Sequence, residues 1–260
     1  MVNKVTFAEN LNSMSAISVG PSFPEPVRAG FPAILGEFPY QVSLQAYHDD
    51  ESWNHCSGSI LTNLLILTTA SCVVHSSPEE SYIEAGLVRT EDLRVDMIRG
   101  VLKILTHKEF NVGGRLENDM AILVLTSPLE FYDYVHRINS ETYGDGGNIG
   151  TPAIVAGWGK PFMPQENRHL FKTNVSVASC NTADSEILPK TMICAGHKKF
   201  GACHADSGAS LILDADKVGG VIIGVFSYGL ECKEGGRRLG VYTNVAHFTD
   251  FIENAMERYK

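Results

Sequence analysis

Positive charge is scarce in this 260-residue chain: 21 Lys and Arg stand against 30 Asp and Glu, for a formal net charge of −9. Binding to phosphate backbones relies on clustered cations, so nucleic acid is not an expected partner. No apolar run approaches the length of a membrane span, and no membrane partner is expected. No C-x-x-C pair occurs and the nine histidines do not cluster at zinc-ligand spacing, so no metal site is expected. The glycine-rich run from Glu141 to Gly150 lacks the Gly-Lys spacing of a phosphate loop, so no nucleotide and no other cofactor is expected. Met1 to Ala16 is polar after Lys4 and lacks the apolar stretch of a secretory leader.

The chain does have an ordinary globular composition, 44% hydrophobic and 20% charged, with ample length for a large core. Its six cysteines are an even number, which points to disulfides and an oxidising, extracellular setting. Pairing is not fixed by the count, since six cysteines allow 15 connectivities. Asn174-Val175-Ser176 is a glycosylation sequon, which fits secretion.

Several segments read as short strands divided by turns. His55 to Cys72 forms two apolar runs around Thr62-Asn63. Tyr82–Leu87, Ile98–Thr106 and Glu117–Leu125 read as strands and loops. Near the end, Phe248, Phe251, Ile252, Ala255 and Met256 recur at i, i+3, i+4, i+7 and i+8, one face of a helix. Residues 1–26 form an irregular leader ending in Pro21-Ser-Phe-Pro-Glu-Pro26.

The chemistry concentrates in four places: Cys203-His-Ala205-Asp206-Ser207-Gly208-Ala209-Ser210, Leu67-Thr-Thr-Ala-Ser71-Cys72, Glu117-Asn-Asp119-Met-Ala-Ile, and Ala156-Gly-Trp-Gly159. Together with Val27 to Leu44, these resemble the trypsin/chymotrypsin-like serine proteases over residues 27–260. That resemblance implies an all-β fold of two six-stranded antiparallel Greek-key barrels with a C-terminal helix. It implies a first barrel over about 27–135, a second over about 150–245 and a helix over about 246–257. It also implies the disulfides Cys56–Cys72, Cys180–Cys194 and Cys203–Cys232. The oxyanion-hole positions fall on Ala205 and Ser207. The specificity pocket falls on Gly201, Ala202, Ser227, Tyr228, Gly229 and Gly240. With Gly201 at its floor, where trypsins carry an aspartate, that pocket is apolar.

The departures from the family pattern are as informative as the matches. The nucleophile position is Ser207 and the orienting aspartate is Asp119, but the general-base histidine is Ser71. A serine hydroxyl does not accept a proton near neutral pH, whereas an imidazole with a pKa of about 6.5 does. Asp119, with no imidazole to orient, is expected to bond Ser71 or backbone N–H groups. The oxyanion glycine is Ala205, the closing Gly-Pro is Ala209-Ser210, and the residue before Val27 is Pro26 rather than Arg or Lys. Asp206 thus keeps the place of the partner for a freed α-amino group, without a tryptic site to free it. His204 and His55 flank the motifs, but a substitute base needs reach to Ser207 and a partner of its own, and solvated histidines are the commoner case.

These departures imply a catalytically inactive homologue that acts as a secreted binding or decoy protein. A residual hydrolase using Ser207 is the second reading, and an inert storage or structural protein the third. Within the family, the sequence resembles arthropod digestive trypsin-like proteins, among them the inactivated scabies-mite paralogues of mite group 3 allergens. That likeness implies protein partners in a host proteolytic cascade such as complement.

Overall fold

The computed structural model describes residues 30–48, 52–89, 97–138, 146–159, 169–180, 188–197, 207–213, 220–229 and 238–260. Thirteen strands and one α-helix are defined among them. The first barrel closes in the order β2 (Gln41–His48), β3 (Ser52–Ile60), β4 (Leu65–Thr68), β7 (Ala121–Leu125), β6 (Ile98–Thr106) and β5 (Ser81–Ala85). Every pairing in it is antiparallel. The turn expected at Thr62-Asn63 is present: the Thr62 hydroxyl accepts from the N–H groups of Leu64 and Leu65 and closes the β3–β4 connection.

The second barrel runs β9 (Phe171–Ala178), β10 (Met192–His197), β13 (Arg238–Asn244), β12 (Val221–Gly229), β11 (Ser210–Leu213) and β8 (Pro152–Gly157). A β8–β9 pairing closes it. The two six-stranded barrels match the fold expected from the sequence.

The N-terminal part departs from the sequence boundaries. The short strand β1 (Phe31–Pro32) pairs with Lys172 and Phe171 of β9, so it belongs to the second sheet and not to the first barrel. The C-terminal element also differs in detail. Its first turn, Val245–Phe248, is a 3-10 helix, and helix α1 spans Thr249–Arg258. The anticipated apolar face holds, with Phe248, Ile252 and Ala255 buried and Phe251 and Met256 packed beside them.

The largest apolar cluster is not confined to one barrel. Val42, Leu44, Leu65, Leu67, Ile122 and Leu123 join Trp158, Ile212, Val225 and Ile252 in one continuous core. A smaller cluster, including Val155, Val175, Leu211, Ile223, Phe226 and Tyr242, fills the second barrel. Each fully buried aliphatic side chain contributes roughly 1.5–3 kcal/mol, so the shared core fixes the barrels as one body. That rigidity matters because the chemically distinctive residues come from both barrels.

Candidate active site

Ser71 sits at the end of a rigid path. Strand β4, buried along its length, runs through Thr69 into the 3-10 turn Ala70–Cys72. The Cys56–Cys72 disulfide, with Cα atoms 6.3 Å apart, ties that turn to β3. The other described bridge, Cys180–Cys194, also has the expected pairing. Cys203 and Cys232 lie outside the described residues.

Asp119 enters from the other side of the first barrel. It is fully buried just before β7 and follows Asn118, a non-glycine residue at φ 53°. The Asn118 side chain donates from Nδ2 to the Glu109 carbonyl at 2.9 Å, which helps hold this left-handed conformation. The Asp119 carboxylate accepts hydrogen bonds from the Ser71 N–H at 2.7 Å, the Ser71 hydroxyl at 2.8 Å and the Ser227 hydroxyl at 2.5 Å, with the Ala70 backbone also bonded to it. The Ser71 oxygen also lies 3.2 Å from Thr69 Oγ1. Its single proton is best spent on the charged, nearer carboxylate oxygen. Burial raises the Asp119 pKa above its ordinary value, and the hydrogen bonds from Ser227 and Ser71 counter that only in part. Asp119 was expected to bond Ser71 or backbone N–H groups, and it bonds both.

Ser227 is the residue whose role the sequence did not show. The family resemblance places it only in the pocket, yet its hydroxyl reaches Asp119 across a sequence separation of 108. Thr243 likewise donates to the Asp119 main-chain carbonyl at 2.7 Å. Both side chains come from the second barrel, so they hold Asp119 across the barrel junction, Ser227 at its carboxylate and Thr243 at its main chain. Pairings between residues so far apart leave no periodicity to read in a single sequence.

Ser207 is half-buried, and its hydroxyl points at the Ser227 carbonyl oxygen at 3.4 Å. Its own carbonyl accepts from the Ser57 N–H at 2.8 Å, and the Gly208 N–H donates to the Phe226 carbonyl at 2.9 Å. Gly208 has φ +85°, and a Cβ there would collide with the Ser57 carbonyl oxygen and lie 2.6 Å from Thr68 Oγ1. Only glycine fits both the backbone angle and the space. Two residues on, the Ser210 hydroxyl lies 2.5 Å from that of Ser59, and both are buried. The hydroxyl at Ser210 thus joins the segment after Ser207 to the first barrel.

The pocket residues divide. Ser227, Tyr228 and Gly229 lie on β12 beside Gly240 on β13, with Gly229 paired to Gly240. A Cβ on Gly240 would lie 2.8 Å from the Phe226 ring and 3.0 Å from the Tyr242 ring, so packing of the second barrel demands glycine there. Gly201, Ala202, Ala205, Asp206 and His204 lie outside the described residues, as does the side chain of His55. Asn174 is exposed on β9, opposite Ile154 of β8.

Residues 27–252 match the family model described as Trypsin. A tryptase of Mus musculus is 28% identical over 261 aligned residues, covering 94% of this chain and 94% of that protein. Chymotrypsin-C of Bos taurus is 27% identical over 262 residues, covering 97% of each.

Proposed function

Since the chain belongs to the trypsin family of serine proteases, we propose that it is a proteolytically inactive member that works by binding rather than by cleavage. One observation carries this reading: the partner of the buried Asp119 is a serine, whose hydroxyl donates to the carboxylate at 2.8 Å. Acyl transfer by a serine needs a base that takes the hydroxyl proton and returns it to the leaving group. An alkanol already donating its proton to a carboxylate does neither. Loss of the base in enzymes of this logic costs on the order of 10⁶ in kcat. The Ser207 hydroxyl, meanwhile, faces a carbonyl oxygen, which orients it without activating it. Ala205 in place of the oxyanion glycine and Pro26 ahead of Val27 add two further losses in the same direction.

The intact scaffold supports a binding role. Two barrels joined by a common core hold the pocket strands β12 and β13 in place without requiring turnover. We assign it a secreted setting, on the strength of its disulfides and its family, and protein partners drawn from proteolytic cascades, with host complement proteins the first to assay. The exposed Asn174 is the site assigned to an N-linked glycan.

The test is labelling of Ser207 by a fluorophosphonate, followed by mass. The parent is expected to stay unlabelled, like a Ser207→Ala control. A Ser71→His variant trimmed to Val27 is expected to gain labelling if the base is the decisive loss. Rapid labelling of the parent at Ser207 would overturn the reading in favour of a serine endopeptidase with an apolar pocket.

A further inference from the structure

Asn174 opens the sequon Asn174-Val175-Ser176, and the register of the second sheet sets two apolar side chains around it. Ile154 of β8 lies directly opposite Asn174. Phe31 of β1 lies directly opposite Lys172 of β9. Side chains alternate along a strand, so Lys172 and Asn174, two residues apart, share one face of β9. Directly opposed residues also share a face, which puts Phe31 and Ile154 on that side. Phe31 is therefore the diagonal neighbour of Asn174. Diagonal neighbours of this kind lie about 7–8 Å apart, within reach of an aromatic ring.

The face is open where it matters. Asn174 is exposed, Ile154 is half-buried and Phe31 is 68% exposed. Lys172 stands between Asn174 and Phe31, but its ammonium is committed to the Glu37 carboxylate. A phenyl ring this exposed adds little to the core. It also sits on a strand of two residues that ends the strand order of its sheet, where a cover is of use. An N-linked chain begins with an N-acetylated aminosugar on Nδ2 of the asparagine. The C–H bonds on one face of that pyranose carry slight positive charge, and the face of a phenyl ring carries the negative part of its quadrupole. Sugar and ring can stack without any hydrogen bond.

We propose that Phe31 is the platform on which the first sugar of an Asn174 glycan rests, with Ile154 flanking that sugar from the opposite strand. The inference rests on the secreted setting assigned above and is independent of whether Ser207 reacts. Its consequence is structural: the sugar covers the exposed ring and braces the two residues of β1 against β9.

The experiment uses the full, disulfide-intact chain secreted from a glycosylating cell line and trimmed by an endoglycosidase to the single protein-linked sugar. Peptide mass is expected to place that sugar on Asn174. Its C–H signals in NMR are expected to lie upfield by at least about 0.3 ppm in the parent relative to a Phe31→Ser variant, the ring current of an apposed phenyl. Removing the sugar by Asn174→Gln is expected to lower Tm by about 2–4 °C in the parent and by under about 1 °C in the Phe31→Ser background. An unoccupied Asn174 would overturn the glycan, and the platform with it, while leaving the loss of the base untouched. Full occupancy with sugar signals that do not differ between parent and Phe31→Ser, or with equal melting losses in the two backgrounds, would overturn the platform alone.

Discussion

The two halves of the cleft are built to opposite standards of completeness. On the first-barrel side, Asp119 is sealed from solvent and its carboxylate is met by two hydroxyls and a main-chain N–H. On the second-barrel side, the Ser207 hydroxyl is half-buried and has one long contact, 3.4 Å to a carbonyl oxygen. Ser227 touches both halves, giving its hydroxyl to Asp119 and its carbonyl to Ser207. A buried carboxylate is expensive unless its lone pairs are met, so the first half is held by folding energetics whether or not any reaction occurs. A half-buried hydroxyl that solvent still reaches carries a smaller demand. Stability therefore accounts for the Asp119 network, whereas the Ser207 hydroxyl is held, among the described residues, by one long contact alone.

The sharpest break comes from the backbone beneath Ser207. Gly208→Ala is expected to cost at least about 3 kcal/mol in urea unfolding, because the new methyl meets the Ser57 carbonyl at a left-handed angle. A loss below about 1 kcal/mol would mean that the segment re-forms easily and the contrast is not built into the fold. Opening the Cys56–Cys72 bridge, by Cys56→Ala with Cys72→Ala, should lower stability by about 3 kcal/mol, given 16 residues of separation. A smaller cost follows for Ser71→Ala, about 1.5–3 kcal/mol, since a hydrogen bond to a buried charged group is removed while the N–H bond stays. Ser207→Ala completes the series at under about 0.5 kcal/mol. Equal costs for Ser71→Ala and Ser207→Ala in paired melts would erase the distinction between the two halves.

Acidity gives an independent handle on the buried half. Burial raises the Asp119 pKa above its ordinary value of 3.8. A carboxyl raised in the folded state stabilises the protein most when protonated, and that contribution fades as pH rises through the folded value. The parent should therefore gain stability relative to Asp119→Asn as pH falls from the raised folded value toward about 4, and the difference should level off below it. A difference that shrinks on acidification would mean that the serine hydrogen bonds outweigh burial.

Much of the fold was legible because local patterns carry it. The i, i+3, i+4 spacing of Phe248, Phe251, Ile252, Ala255 and Met256 marks a helix face, and Thr62 closes a turn between two apolar runs. The assignment of Phe31–Pro32 to the first barrel failed for a physical reason. A two-residue strand has no periodicity, and its place is set by hydrogen bonds to Phe171 and Lys172. At the site, Ser71, Asp119 and Ser207 could be located by motif alone, because each is anchored in a distinctive local string.

Sequence by itself determined which groups are available here: a hydroxyl where a base would act, a carboxyl beside it in purpose but 48 residues away, and a serine with no imidazole assigned to it. Tertiary structure alone decided that Ser227 completes the carboxylate's shell, that Ser59 meets Ser210 across the barrels, and that Phe31–Pro32 pairs with β9. Those contacts join residues remote in the chain, and only the closing of two barrels around a common core brings their atoms within hydrogen-bonding or packing distance.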